Sequence, residues 1–118
     1  MENNPSLIIK KEKQLLARED SIAALSNLID DEFEEHTKSG IHDKKEAIRW
    51  LSQETEIEIT GMQFNEKFIS DDVVLLTYIS RSRTKHSVDC KLALRVSIWR
   101  LKDNCWRLVS HQGTPIPD

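Results

Sequence analysis

The last quarter of the chain, from Cys90 to Pro117, reads CKLALRVSIWRL, then KDNC, then WRLVSHQGTPIP. Two runs rich in β-branched and aromatic residues flank a short polar turn, which is the signature of a β-hairpin. A chain that ends this way, with a tryptophan on each arm, builds its helices first and completes its sheet last.

The two faces of that hairpin follow from strand geometry. Side chains alternate across a strand, and residues paired across two strands share a face. With the turn at Asp103-Asn104, Leu101 pairs with Trp106, Trp99 with Leu108, Ser97 with Ser110, and Arg95 with Gln112. Trp99, Leu101, Trp106 and Leu108 are then expected to receive the N-terminal helix. Arg95, Ser97, Ser110 and Gln112 lie past it and are expected to line a cavity. The opposite face carries Leu94, Val96, Ile98 and Val109, with His111 farther along. No helix remains to cover it, so it is expected to meet a partner, most simply a second copy of the chain. A slip of one residue in register would exchange the faces.

Upstream, Ser6 is placed to cap a helix over LIIKKEKQLLARE. Its stripe is Leu7, Ile8, Leu15 and Leu16, which leaves the lysines and Glu12 for solvent. Asp20 or Ser21 caps a second segment, in which Ile22, Leu25, Leu28 and Ile29 recur at helical spacing. Glu32–Thr37 reads as a short strand ending at the turn Ser39-Gly40. Asp43 and Glu46 resemble a capping box, opening a helix with Ala47, Ile48, Trp50 and Leu51. From Glu56 the period becomes strand-like, with Gly61 suggesting a bulge. Asp71-Asp72 is a turn, and VVLLTYIS is a strong strand. Arg81–Ser87 continues it or loops out.

The 118 residues suit one domain, 6–118, behind a disordered tail, 1–5. Charged residues are 31% and apolar residues 38% of the chain, the balance of a soluble globular protein. No apolar run approaches the ~20 residues of a membrane-spanning helix. The start, MENNPSLIIKKEKQ, has no leader pattern, so a cytoplasmic protein is expected. A net charge of −3 lacks the basic footprint of a nucleic-acid binder. Arg81, Arg83, Lys85 and His86 read as a solvated edge that discourages sheet-to-sheet pairing. Cys90 and Cys105 fall too far apart across the hairpin to join, and two free thiols suit a reducing compartment. No metal-ligand spacing, phosphate-binding loop or nucleophile motif is present, so no cofactor or metal is expected.

These residues together resemble the NTF2-like superfamily, and more narrowly its SnoaL-like and DUF4440 group. The resemblance rests on Phe33, Glu35, Ser39 and Gly40, which match that group's "F-x-E…SG" strand. It rests further on Ser97, Trp99, Trp106, Arg107, Val109 and His111–Pro115, which match its closing "S-x-W…W-R-x-V…HQGTP" hairpin. It implies an α+β cone: N-terminal helices packed on a curved, mainly antiparallel sheet, with a pocket at the wide end and dimers formed through the sheet. The superfamily holds isomerases, dehydratases, cyclases, transport factors and immunity proteins, so the fold does not name an activity.

Candidate site residues follow from the faces. Glu35 shares its face with Phe33 and points toward the pocket. There it would act as a base or orient a ligand, or else close the cone in an ion pair with Arg95. Tyr78, in the strongest strand, would polarise a ligand carbonyl, or else sit in the core with its hydroxyl at the rim. Trp50, Arg95, Ser97, Ser110 and Gln112 are candidate ligand contacts. His36 and His111 fall on the wrong faces for a catalytic base, and the Asp–His pair of the superfamily's isomerases is not evident. Three functions fit: a homodimer binding a small organic ligand; an isomerase, dehydratase or cyclase with Glu35 as base; or a protein-interaction module, such as a toxin-immunity protein, using Asp30, Asp31, Glu32 and Glu34.

Overall fold

Three helices are cut from the first half of the chain by their own caps. The computed structural model describes residues 6–117; the tail read over 1–5 lies outside them. Helix α1 spans Leu7–Ala17, with the Ser6 hydroxyl accepting from the Ile9 N–H at 3.1 Å. It stops at Arg18, whose left-handed backbone (φ 56°) turns its N–H back to the Gln14 carbonyl. Helix α2, Ile22–Asn27, is capped by Ser21, and α3, Lys44–Ser52, by Asp43. Each cap satisfies a backbone N–H that the helix itself leaves unpaired. The expected capping box is half formed: Asp43 accepts from the Glu46 N–H, but the Glu46 carboxyl turns to His42.

Among the described residues six strands form one sheet: β1 (Ile29–Thr37), β2 (Gly40–Asp43), β3 (Ile57–Ser70), β4 (Val73–Thr84), β5 (Lys91–Lys102) and β6 (Cys105–Ile116). Their order is β2-β1-β6-β5-β4-β3, with only β1 and β6 parallel. β1 begins three residues before the expected strand. β2 is a short edge strand that follows directly on the expected turn Ser39-Gly40. The Arg81–Ser87 segment divides, its first four residues completing β4.

The terminal hairpin turns at Asp103 and Asn104, both with positive φ (54° and 63°). This is the left-handed pair whose twist matches a two-residue hairpin. Leu101 pairs with Trp106 and Trp99 with Leu108, as the alternation requires. The register then shifts. Val109 is the extra residue of a β-bulge, so Ile98 pairs with Ser110, Ser97 with His111, Val96 with Gln112 and Arg95 with Gly113. A bulge adds one residue to one strand, which exchanges that strand's faces beyond it.

The helices close the inner face over Ile8, Leu25, Ile29, Phe33, Val74, Leu76, Tyr78, Trp99 and Leu108, all buried. Gly61 is required there by close approach. A Cβ at this position would lie 2.5 Å from the Phe64 ring, which stacks on Tyr78 at 4.7 Å. The irregularity in β3 follows at once, between Met62 and Asn65.

The helix α1 stripe differs from expectation at two positions. Leu7 is exposed, while Glu12, expected in solvent, is only 2% exposed. Ile8, Glu12, Leu15 and Leu16 fall at i, i+4, i+7 and i+8, so the periodic stripe itself carries Glu12 inward.

Candidate functional site

A cavity of about 170 Å³ opens between α1, α3 and the inner face of the sheet. Leu15, Leu16, Ile29, Phe33, Leu51 and Leu108 form its apolar wall. Glu12, Arg18, Glu35, Trp50, Arg95 and His111 supply its polar and aromatic contacts. A 150 Å³ apolar cavity holds benzene, so this space suits a ligand of roughly that size.

Glu35 and His111 meet inside it. The Glu35 carboxyl lies 2.6 Å from His111 Nδ1, and β1 and β6 pair these two residues directly. His111 was expected on the outer face. The Val109 bulge turns it inward, and it is 7% exposed. The same bulge carries Ser110 and Gln112 to the outer face, beside Ile98 and Val96, so neither lines the cavity. The clue lay in the sequence: Trp106 and Leu108 alternate inward, and the adjacent Leu108-Val109 breaks that phase.

Arg95 does not pair with Glu35. Its Nε donates to Ser80 Oγ at 2.8 Å, and among the described residues it makes no ion pair. Its terminal nitrogens have no partner among the described residues. Trp50 stands at the rim, 39% exposed, with its backbone carbonyl held by Arg18 at 2.6 Å. Ser97 is fully buried between Leu76 and His111 in the sheet row, outside the cavity lining, and its hydroxyl has no partner among the described residues.

Tyr78 is in the core rather than in the cavity wall. It is 1% exposed, and its hydroxyl donates to Glu12 Oε2 at 2.6 Å. Burial, then the neighbouring Glu12 carboxyl, pushes its ionisation far above the usual tyrosine range. Its one proton is committed, so it has none to offer a ligand carbonyl. The other Glu12 oxygen accepts from Trp99 Nε1 at 2.9 Å. One helix carboxyl thereby bridges the two strands β4 and β5.

The acidic run is partly balanced by two cations, Arg100 and Lys44. Asp30 is buried and takes both Nε and a terminal nitrogen of Arg100, at 3.1 and 2.7 Å. Desolvation would raise its pKa, but the Glu32 N–H and Arg100 together hold it below the usual carboxylate value. Glu32 also reaches Arg100 at 3.0 Å, and Asp31 reaches Lys44 at 3.2 Å. Three of the four acids expected to form an interaction surface are thus paired with cations.

No family model and no curated protein sequence matches the chain. Solved structures do. An NTF2-like protein from Cytophaga hutchinsonii aligns at 18% identity and TM-score 0.74, over 98% of this chain and 100% of that one. A putative Ca/calmodulin-dependent kinase II association domain from Exiguobacterium sibiricum aligns at 16% identity and TM-score 0.74, over 99% of each. The association domain of C. elegans CaMKII aligns at 11% identity and TM-score 0.73, over 92% of this chain and 89% of that one. The fold is therefore NTF2-like, a class defined by helices closing a curved sheet into a cone. No helix among the described residues is long and apolar enough to cross a membrane.

Proposed function

We propose that this protein binds a short organic acid in the cone and self-associates through the outer sheet face. The observation that carries the binding reading is Arg95. Arg95 lines the cavity with Nε alone engaged among the described residues, and a guanidinium fork fits a carboxylate in two-pronged fashion. The remaining wall would hold a short alkyl or aryl body. His111 and Glu35 would fix a second polar group of the ligand.

A panel of small carboxylic acids and their amides, read by thermal shift and titration calorimetry, tests this. The acids should raise the melting temperature and the amides should not. Arg95→Met should weaken acid binding by at least about tenfold, the usual loss when a charged hydrogen bond is removed. Equal binding of acids and amides would overturn the reading.

Self-association is supported by the outer face. Leu94, 44% exposed, continues with Val96 and Ile98 along β5, and these pair with Ile79, Thr77 and Leu75 of β4. Val109 adjoins them at the bulge. Neighbours of the same fold are titled association domains, which favours assembly in this chain too. Val96→Asp should reduce the mass seen by light scattering to that of one chain; a wild-type monomer at high concentration would end the proposal.

A second reading, an enzyme of the isomerase or dehydratase type, is favoured by the close Glu35–His111 pair. In it His111 would accept the proton and Glu35 would orient the ring, in place of Glu35 as the base. A cytoplasmic setting is supported by the two exposed free thiols. The SnoaL-like and DUF4440 grouping is supported by the strand and hairpin motifs of the sequence.

A further inference from the structure

The tip of the β1–β2 hairpin holds a second cluster of reactive groups. Ser39 Oγ lies 2.9 Å from His42 Nε2, and His42 Nδ1 lies 2.9 Å from Glu46 Oε2. Thr37 Oγ1 is 3.1 Å from the same Nε2 and 3.0 Å from Ser39 Oγ.

The hydrogen-bond partners assign the protons. A carboxylate only accepts, so Glu46 places the proton of the neutral imidazole on Nδ1 and leaves Nε2 an acceptor. The Thr37 hydroxyl lies at the same 3.1 Å from the Gly40 carbonyl as from Nε2, so it has a second acceptor for its proton. Ser39, at 2.9 Å, is the nearer hydroxyl donor to Nε2. A hydroxyl, an imidazole and a carboxylate in this relation have the roles of nucleophile, base and orienting group.

Local structure explains the meeting. The turn Thr37–Gly40 closes on Gly40, whose φ of 125° few other residues adopt. A Cβ there would touch nothing within 4 Å, so the turn is open above Gly40. Asp43 starts α3 immediately afterwards, which sets Glu46 four residues beyond His42. Trp50, one turn further along, meets the His42 ring edge-on at 5.2 Å. It offers an exposed aromatic surface beside the cluster. Ser39, His42 and Glu46 line none of the cone cavity.

We infer that Ser39, His42 and Glu46 form an esterase-like site for small aryl esters. Ser39 Oγ attacks the ester carbonyl carbon while His42 Nε2 takes its proton. The bond from carbon to the phenol oxygen breaks, and the phenol leaves with that proton. Water then attacks the acyl-serine and gives a proton to Nε2. That proton returns to the Ser39 oxygen as the carboxylic acid departs. Glu46 is a positioning residue, acting only through the ring.

The test uses a fluorophosphonate probe, which displaces fluoride onto an activated serine, with the labelled peptide read by mass spectrometry. p-Nitrophenyl acetate reports turnover in parallel. Ser39 should be labelled faster than the exposed Ser52 and Ser70. His42→Gln should slow labelling by about 100-fold, the low end of what a general base contributes. Glu46→Gln should slow it too, and Glu46→Asp should restore part of the rate, which a merely structural contact would not do. All four proteins should keep their circular dichroism spectra. Labelling of Ser39 no faster than of Ser52, or unchanged in His42→Gln, would overturn the inference.

Discussion

Two carboxyl groups enter the cone, and they differ in what they have left to give. Glu12 is fully buried, and both of its oxygens accept from core donors, Tyr78 and Trp99. Glu35 is half-buried, reaches one imidazole, and borders open space. A buried polar group is stable when its hydrogen bonds are complete, and then it is inert. Glu12 is therefore a staple between helix and sheet, and Glu35 is the carboxyl with chemistry available. Burial alone would have chosen the wrong one.

The largest expected effect separates them by stability. Glu12→Ala leaves the Tyr78 hydroxyl and the Trp99 N–H unpaired in the core, and should cost about 3–5 kcal/mol in urea unfolding. Glu35→Gln keeps the shape of a side chain at the cavity edge and should cost under about 1 kcal/mol. Equal costs would mean that Glu12 is no more a structural staple than Glu35.

Asp30 is buried like Glu12 but faces a cation. Asp30→Asn should cost about 2–4 kcal/mol at neutral pH by leaving Arg100 without its two-pronged partner. The folded protein holds the Asp30 pKa below its usual value of 3.8. Its contribution is therefore complete above that pH and is lost as pH falls through the lower, folded value. Stability measured against pH should fall less steeply in Asp30→Asn below about pH 4 than in the wild type.

Much of this arrangement could be read along the chain. Ser6, Ser21 and Asp43 announce their helices because their side chains complete local hydrogen bonds. The Asp103-Asn104 turn and the Trp99–Leu108 and Leu101–Trp106 pairs follow from alternation alone. Three features escaped for physical reasons. Glu12 sits on the apolar stripe by spacing, but a charged residue there is expected outside unless its distant partners are known. Those partners are 66 and 87 residues away. The Arg100–Asp30 pair likewise spans 70 residues. The Val109 bulge is a single inserted residue, and it exchanged His111 with Ser110 and Gln112 between the two faces. Glu35, Trp50 and Arg95 lie before or outside that shift, and the cavity takes in all three.

The Val109 bulge delivers His111 into the cone with its Nδ1 proton directed at Glu35. Nitrogen-15 spectroscopy of the histidine rings tests it most directly. In the wild type, the neutral His111 ring should show the Nδ1-protonated tautomer, with that proton protected from exchange with water. In Glu35→Gln the tautomer preference and the protection should both weaken. A His111 ring that exchanges freely in the wild type, or does not respond to Glu35→Gln, would place the residue on the outer face, away from Glu35.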